Sequence, residues 1–160
     1  MRNNGTGYPC VENGARRGGA TGGIRMSQQN VDCLRRAVEL GNAGELDALA
    51  ELYDAEVELR DLANPPDVPE LVHGRTELLA AWARWLDALE NWQVDVVEIV
   101  DADPWVVCDM RWRATGREST ASTDWRLTDA FEVHDGRIIR QIAGFRDVAS
   151  ALREISKLSS

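Results

Sequence analysis

The sequence predicts an α+β fold in which N-terminal helices cover one face of an antiparallel sheet. Apolar residues recur at helical spacing over most of the stretch up to about residue 90. Beyond that point they alternate with polar residues, segment after segment. The alternating segments are joined by short turns, as an antiparallel meander requires, and helices that precede such a meander must pack on one of its faces.

Residues 1–25 stand apart, with seven of the 13 glycines, four arginines against one glutamate and no apolar periodicity. They read as a disordered N-terminal extension. Arg16-Arg17 suggest an export signal, but Gly-Gly-Ala-Thr-Gly-Gly follows where an apolar segment would be needed. Met26, just before the first patterned residues, is a candidate start. From Gln28 to Leu40 the spacing of Val31, Leu34 and Val38 predicts a helix that Gly41-Asn42 ends. A second, shorter helix is predicted over Gly44–Tyr53. Val57–Leu62 alternates, with Val57, Leu59 and Asp61 on one side and Glu56, Glu58 and Arg60 on the other. After a proline-rich loop (residues 64–69) and the segment Leu71–His73, Thr76 opens a long helix with Leu78, Trp82, Trp85, Leu86 and Leu89 on one stripe. Four strands are predicted next: Trp92–Val100, Trp105–Thr115, Asp124–Val133 and Arg137–Phe145. Asp147–Ile155 reads as a closing helix.

The 160 residues suffice for one domain. With 44% hydrophobic and 28% charged residues the composition is that of an ordinary globular protein. A formal charge of −9 argues against nucleic acid or an anionic membrane as the main partner. No apolar run reaches the ~20 residues of a membrane span, and a cytoplasmic location is the expectation. Cys10, Cys33 and Cys108 are odd in number and share no metal-ligand spacing. His73 and His134 have no second ligand at metal spacing either. The chain must work through carboxylates, aromatics or arginines, and no cofactor is expected.

Two acids break the strand pattern. Asp61 and Asp129 each occupy the apolar side of their strand, where a carboxylate loses hydration and its pKa rises. Two such groups in one cavity suit acid/base work. The alternative is that both lie near strand ends and take solvent or a backbone partner. Tyr53, Trp82, Met110, Trp112, Trp125, Phe131 and Phe145 are candidates to line a pocket for a small hydrophobic ligand, the alternative being plain core. Arg111, Arg113, Arg126 and Arg140 are expected on the outer sheet face, paired with acids or covered by a second subunit.

Asn42-Ala43-Gly44-Glu45-Leu46-Asp47, then Leu52-Tyr53-Asp54 and Val57-Glu58-Leu59-Arg60-Asp61, resemble the opening of ketosteroid isomerases and SnoaL-like polyketide cyclases. His73-Gly74-Arg75 before a helix, and Phe131–Ile138 in the last hairpin, resemble the same nuclear-transport-factor-2-like superfamily. The resemblance spans residues 28–155 in order. It implies a cone-shaped curved sheet with the N-terminal helices over its concave face, residues 26–156 forming the SnoaL-like domain. It puts Asp61 at the isomerase's base, Asp129 at the protonated acid of its oxyanion hole, Tyr53 at a supporting tyrosine, and Trp82 in place of another. Ala37 stands where the oxyanion-hole tyrosine would be, and losing such a donor costs about 10²–10³ in rate. Related cyclases carry an acid on the last strand, where this chain has Gln141 and Ala143. The Asp-Arg-Asp set of related epoxide hydrolases has counterparts in Asp109 and Arg111, which alternation puts on the outer face. The resemblance also implies a homodimer through that face.

Two functions remain open from sequence. One is cofactor-free proton transfer next to a carbonyl, as an isomerase, cyclase or dehydratase, with Asp61 as base and Asp129 as donor. The other is a non-catalytic ligand-binding or dimerisation module of the same fold.

Overall fold

The computed structural model describes residues 21–63, 69–119 and 121–159. Helices α1 (Thr21–Asn42) and α2 (Leu46–Glu51) precede strand β1 (Tyr53–Asp61). The short strand β2 (Leu71–His73) leads into helix α3 (Arg75–Asp87). Strands β3 (Leu89–Ala102), β4 (Trp105–Gly116), β5 (Ser122–His134) and β6 (Arg137–Phe145) follow, and helix α4 (Val148–Leu158) closes the chain. The six strands form one sheet in the order β2-β1-β6-β5-β4-β3, antiparallel except where β1 runs parallel to β6. This is the predicted α+β architecture.

Element boundaries differ from the prediction in instructive ways. Helix α1 begins at Thr21, inside the stretch expected to lack structure; residues 1–20 of that stretch lie outside the described residues. Tyr53 opens β1 instead of ending α2, and Leu89 opens β3 instead of completing the α3 stripe. In both places an apolar residue fits either period, and the pairing of the strand with its neighbour decides.

Local chemistry explains how the helices are docked. At the end of α1 the Asn42 side-chain amide bonds the backbone N–H and C=O of Val94 on β3, both at 2.8 Å. This clamps the helix to the sheet. The His73-Gly74-Arg75 turn works similarly for α3. Gly74, at φ +85°, donates its N–H to the Val57 carbonyl, and the Arg75 guanidinium donates twice to the Tyr53 carbonyl. Asp147 and Ser150 form a reciprocal cap on α4.

The inner face carries the main core: Leu34 of α1 and Leu78 of α3 meet Val57, Val106, Cys108, Phe131 and Ile138 of the sheet. The outer face is divided. At one end α4 buries Ala151 and Ile155 against Trp105, Val107, Ala130 and Ile142. Elsewhere cross-strand pairs of opposite charge cover it: Arg113 with Asp95, Arg111 with Asp124, and Arg126 with Asp109. Arg140 bridges Glu132 and Glu58 on the same face. The four arginines are therefore paired with acids, as one of the two sequence readings held.

Phe145 is a correction. Alternation along Gln141, Ala143 and Phe145 predicts all three on the inner face. Strand β6 has a bulge between the Ala130–Ile142 and Thr128–Phe145 pairs, at Gly144 with φ +85°. The extra residue turns Phe145 outward, into the cluster under α4.

Candidate functional site

Between α1, α3 and the inner sheet face lies a cavity of 340 Å³. Helix α1 contributes Leu34, Ala37 and Val38; α3 contributes Ala81, Trp82, Trp85 and Leu86. From the sheet come Tyr53, Leu59 and Asp61 of β1, Trp92 and Val94 of β3, and Met110 and Trp112 of β4. Trp125, Leu127, Asp129 and Phe131 of β5 and Gln141 and Ala143 of β6 line it too, with Leu46 and Leu49 of α2. Eight of the nine residues predicted from sequence thus face one hollow, with Phe145 the exception. The period-two pleat accounts for this: Trp125, Leu127, Asp129 and Phe131 are consecutive same-face positions of one strand.

One end of the cavity is polar. Asp129 is 2% exposed. Its Oδ1 accepts the Gly144 N–H at 3.0 Å and its Oδ2 accepts the Gln141 side-chain N–H at 2.9 Å. The other end of the Gln141 amide accepts the Tyr53 hydroxyl at 3.2 Å. Asp61 is partly buried, with its Oδ1 accepting the Ala63 N–H at 2.9 Å. The bulge at Gly144 brings the two acids together. Its N–H holds Asp129, and a side chain at position 144 would come within 3.4 Å of Asp61 Oδ1.

Burial pushes Asp129 up to about 7. The bonds from Gly144 and Gln141 oppose that rise, and the nearby Asp61 charge adds to it. A carboxyl group in this state exchanges its proton near neutral pH. Burial, followed by the charges of Asp129 and Cys33, raises the Tyr53 phenol far above its ordinary value. Tyr53 therefore stays a neutral phenol whose O–H donates a hydrogen bond. Its ring meets Trp82 edge-on, with centroids 5.0 Å apart.

The opposite end is indole. Trp92, Trp112 and Trp125 lie side by side on β3, β4 and β5 with centroid spacings of 5.8 and 6.0 Å. Trp85 of α3 stands edge-on to Trp112 at 4.9 Å. Trp85 is also 40% exposed, so this aromatic end reaches the surface. The Trp112 Nε1–H is buried without a hydrogen-bond partner among the described residues. Among the described residues no Lys, Arg or His side chain lines the cavity.

Sequence reasoning missed Gln141 as the link between Tyr53 and Asp129. The available signal was a third polar residue on an inward-facing position. It also missed Gly144, whose role needs the bulge. Asp109, 7% exposed, sits on the outer face with Arg126 and Thr128, as alternation predicted, and takes no part in the cavity. His73 and His134 pair loosely with Glu56 and Glu132 at the surface. Among the described residues no group of three or more His, Cys, Asp or Glu could hold a metal ion, and no helix is long and apolar enough to cross a membrane.

The sequence pattern of the SnoaL-like domain matches residues 34–141, from the cavity wall on α1 to Gln141 on β6. The chain belongs to the SnoaL-like domain family. This SnoaL-like domain also shares its fold with solved structures. Bal32a, from a soil-derived mobile gene cassette, superposes with a TM-score of 0.67 at 20% identity, covering 79% of this chain and 95% of its own. An NTF2-like protein of unknown function from Burkholderia pseudomallei K96243 gives 0.66 at 16% identity, with 78% and 95% covered. A protein assigned as a SnoaL-like polyketide cyclase, from Jannaschia sp. CCS1, gives 0.64 at 21% identity, with 81% and 92% covered. At these identities the likeness is one of fold. No curated protein matches the SnoaL-like domain described here.

Proposed function

We propose that this SnoaL-like domain is a cofactor-free acid/base enzyme that moves a proton next to the carbonyl of a small, largely apolar substrate. Isomerisation, cyclisation and dehydration all contain that step. Asp61 is the base, and Asp129 holds the proton that supplies the donor side. The observation that carries this reading is the pair of aspartates on one apolar cavity, the deeper one poised near pH 7. A carboxyl group poised near the working pH can hold a proton for the donor side and give it up again within one turnover. Among the described residues an anionic substrate would find no cationic partner on the lining, which favours a neutral one.

Deuterium exchange with 2-tetralone as probe tests the proposal. The wild-type protein in D₂O is expected to remove the α-proton signals faster than buffer does. Asp61→Asn is expected to lose about 10²–10⁴ of that rate. Exchange that is unchanged by Asp61→Asn removes Asp61 from the chemistry.

A non-catalytic ligand-binding module is the second reading. Ala37 favours it, because that part of the cavity wall offers no hydrogen-bond donor to a developing oxyanion. Fluorescence titration showing 2-tetralone binding without exchange would select this reading. In either case a homodimer through the charged outer face is proposed, and sedimentation velocity at micromolar concentration checks it.

A further inference from the structure

A primary amide that bridges a phenol and a carboxyl group has two ends, and which end faces which partner depends on where the protons are. In the observed arrangement the Tyr53 O–H donates to Gln141 Oε1 at 3.2 Å, and Gln141 Nε2–H donates to Asp129 Oδ2 at 2.9 Å. This pattern is complete for an ionised Asp129. It fails for a protonated one. The Gly144 N–H already points at Oδ1 from 3.0 Å, so an added proton belongs on Oδ2, where it would meet the Gln141 N–H head-on.

Turning the amide over removes the clash. Oε1 then accepts the Asp129 O–H, and Nε2–H donates to the Tyr53 oxygen. The Tyr53 hydrogen is released from Gln141 and is free for an oxygen atom in the cavity. No covalent bond changes except the O–H formed on Asp129. We propose that Gln141 is a positioning residue whose amide turns over when Asp129 gains a proton, and that this turn aims the Tyr53 hydroxyl at the bound ligand.

Burial makes the coupling strict. Gln141 is 8% exposed, Tyr53 4% and Asp129 2%, so bulk water does not fill a missing bond. The titratable groups that face Asp129 leave it as the one that switches among its buried neighbours. Cys108, opposite it on β4, is pushed up to about 12 by burial and then by Asp129 itself. Cys33 of α1 is raised by burial, and Tyr53 is raised further still. Asp61, from β1, adds its negative charge. The device also gives the cavity a donor that the Ala37 wall lacks. Its part in turnover rests on the enzymatic reading above; the coupling itself does not.

NMR on the full chain tests it without any substrate. Selective carboxyl labelling gives the Asp129 midpoint, and NOEs locate the Gln141 side-chain NH₂. Below the midpoint NOEs from the NH₂ to the Tyr53 ring protons are expected, and above it they are lost. NOEs that are identical on both sides of the midpoint overturn the proposal. A working amide switch with no exchange of 2-tetralone would remove the enzyme and keep the coupling; exchange with a fixed amide would do the reverse.

Discussion

Replacing Asp129 by Asn should change how stability depends on pH, and the size of the change follows from the burial of the site. Asp129 moves from 3.8 to about 7 on folding, chiefly because burial disfavours its charge. Its folded value is raised, so its contribution to stability is fully present below the unfolded value and is lost as pH rises through the folded one. A gap of about three pH units at about 1.4 kcal/mol each corresponds to on the order of 4 kcal/mol. Because the group is almost wholly buried, solvent screening does not reduce this much. About 2.5 kcal/mol of it falls between pH 5 and 7.5. Asn is a neutral isostere that cannot ionise, and its amide suits the turned-over Gln141. Urea unfolding, followed by tryptophan fluorescence across that range, should show the wild type losing about this much stability relative to Asp129→Asn. Parallel profiles for the two proteins would refute the reasoning, since they would mean that Asp129 ionises in the folded state as it does in the unfolded chain.

Three other outcomes are expected. Gly144→Ala places a Cβ 3.1 Å from the Ala63 nitrogen in a backbone held at φ +85°, and should cost about 1–3 kcal/mol by chemical denaturation while lowering the proton-transfer activity. Asn42→Ala leaves the Val94 N–H and C=O without their partner and should cost about 1–3 kcal/mol, with faster amide exchange at Val94 as its local signature. Ala37→Tyr adds a phenol to the cavity wall; if the resemblance to ketosteroid isomerases carries over to this position, 2-tetralone exchange should rise by about 10²-fold.

The strand parities were legible because a residue's face is fixed by counting in twos wherever the ladder is unbroken. Leu59 and Asp61 lie in the unbroken stretch of β1 against β6, and Trp125 through Phe131 in an unbroken ladder with β4, and all of their odd-numbered positions reach the inner face. Phe145 was not legible. The bulge before it depends on how β6 registers against β5, and a lone glycine in a strand does not announce which side the extra residue favours. Gln141 was visible as a residue but not as a link, because its two partners come from β1 and β5, and only the assembled sheet puts them at its two ends. Trp85 belongs to the predicted apolar stripe of α3, yet it is partly open to solvent because it stands at the rim of the hollow instead of in the core.

The parallel pairing of β1 with β6 has a consequence for the order of assembly. Hairpins β3–β4 and β4–β5 join near neighbours in the chain, whereas Tyr53 finds Gln141 across 88 residues. Contacts of such long range are the slowest to close. The Tyr53–Gln141–Asp129 hydrogen-bond chain is therefore completed only when the first strand and the last dock side by side, so a newly made chain can hold most of its meander before the polar end of the cavity exists.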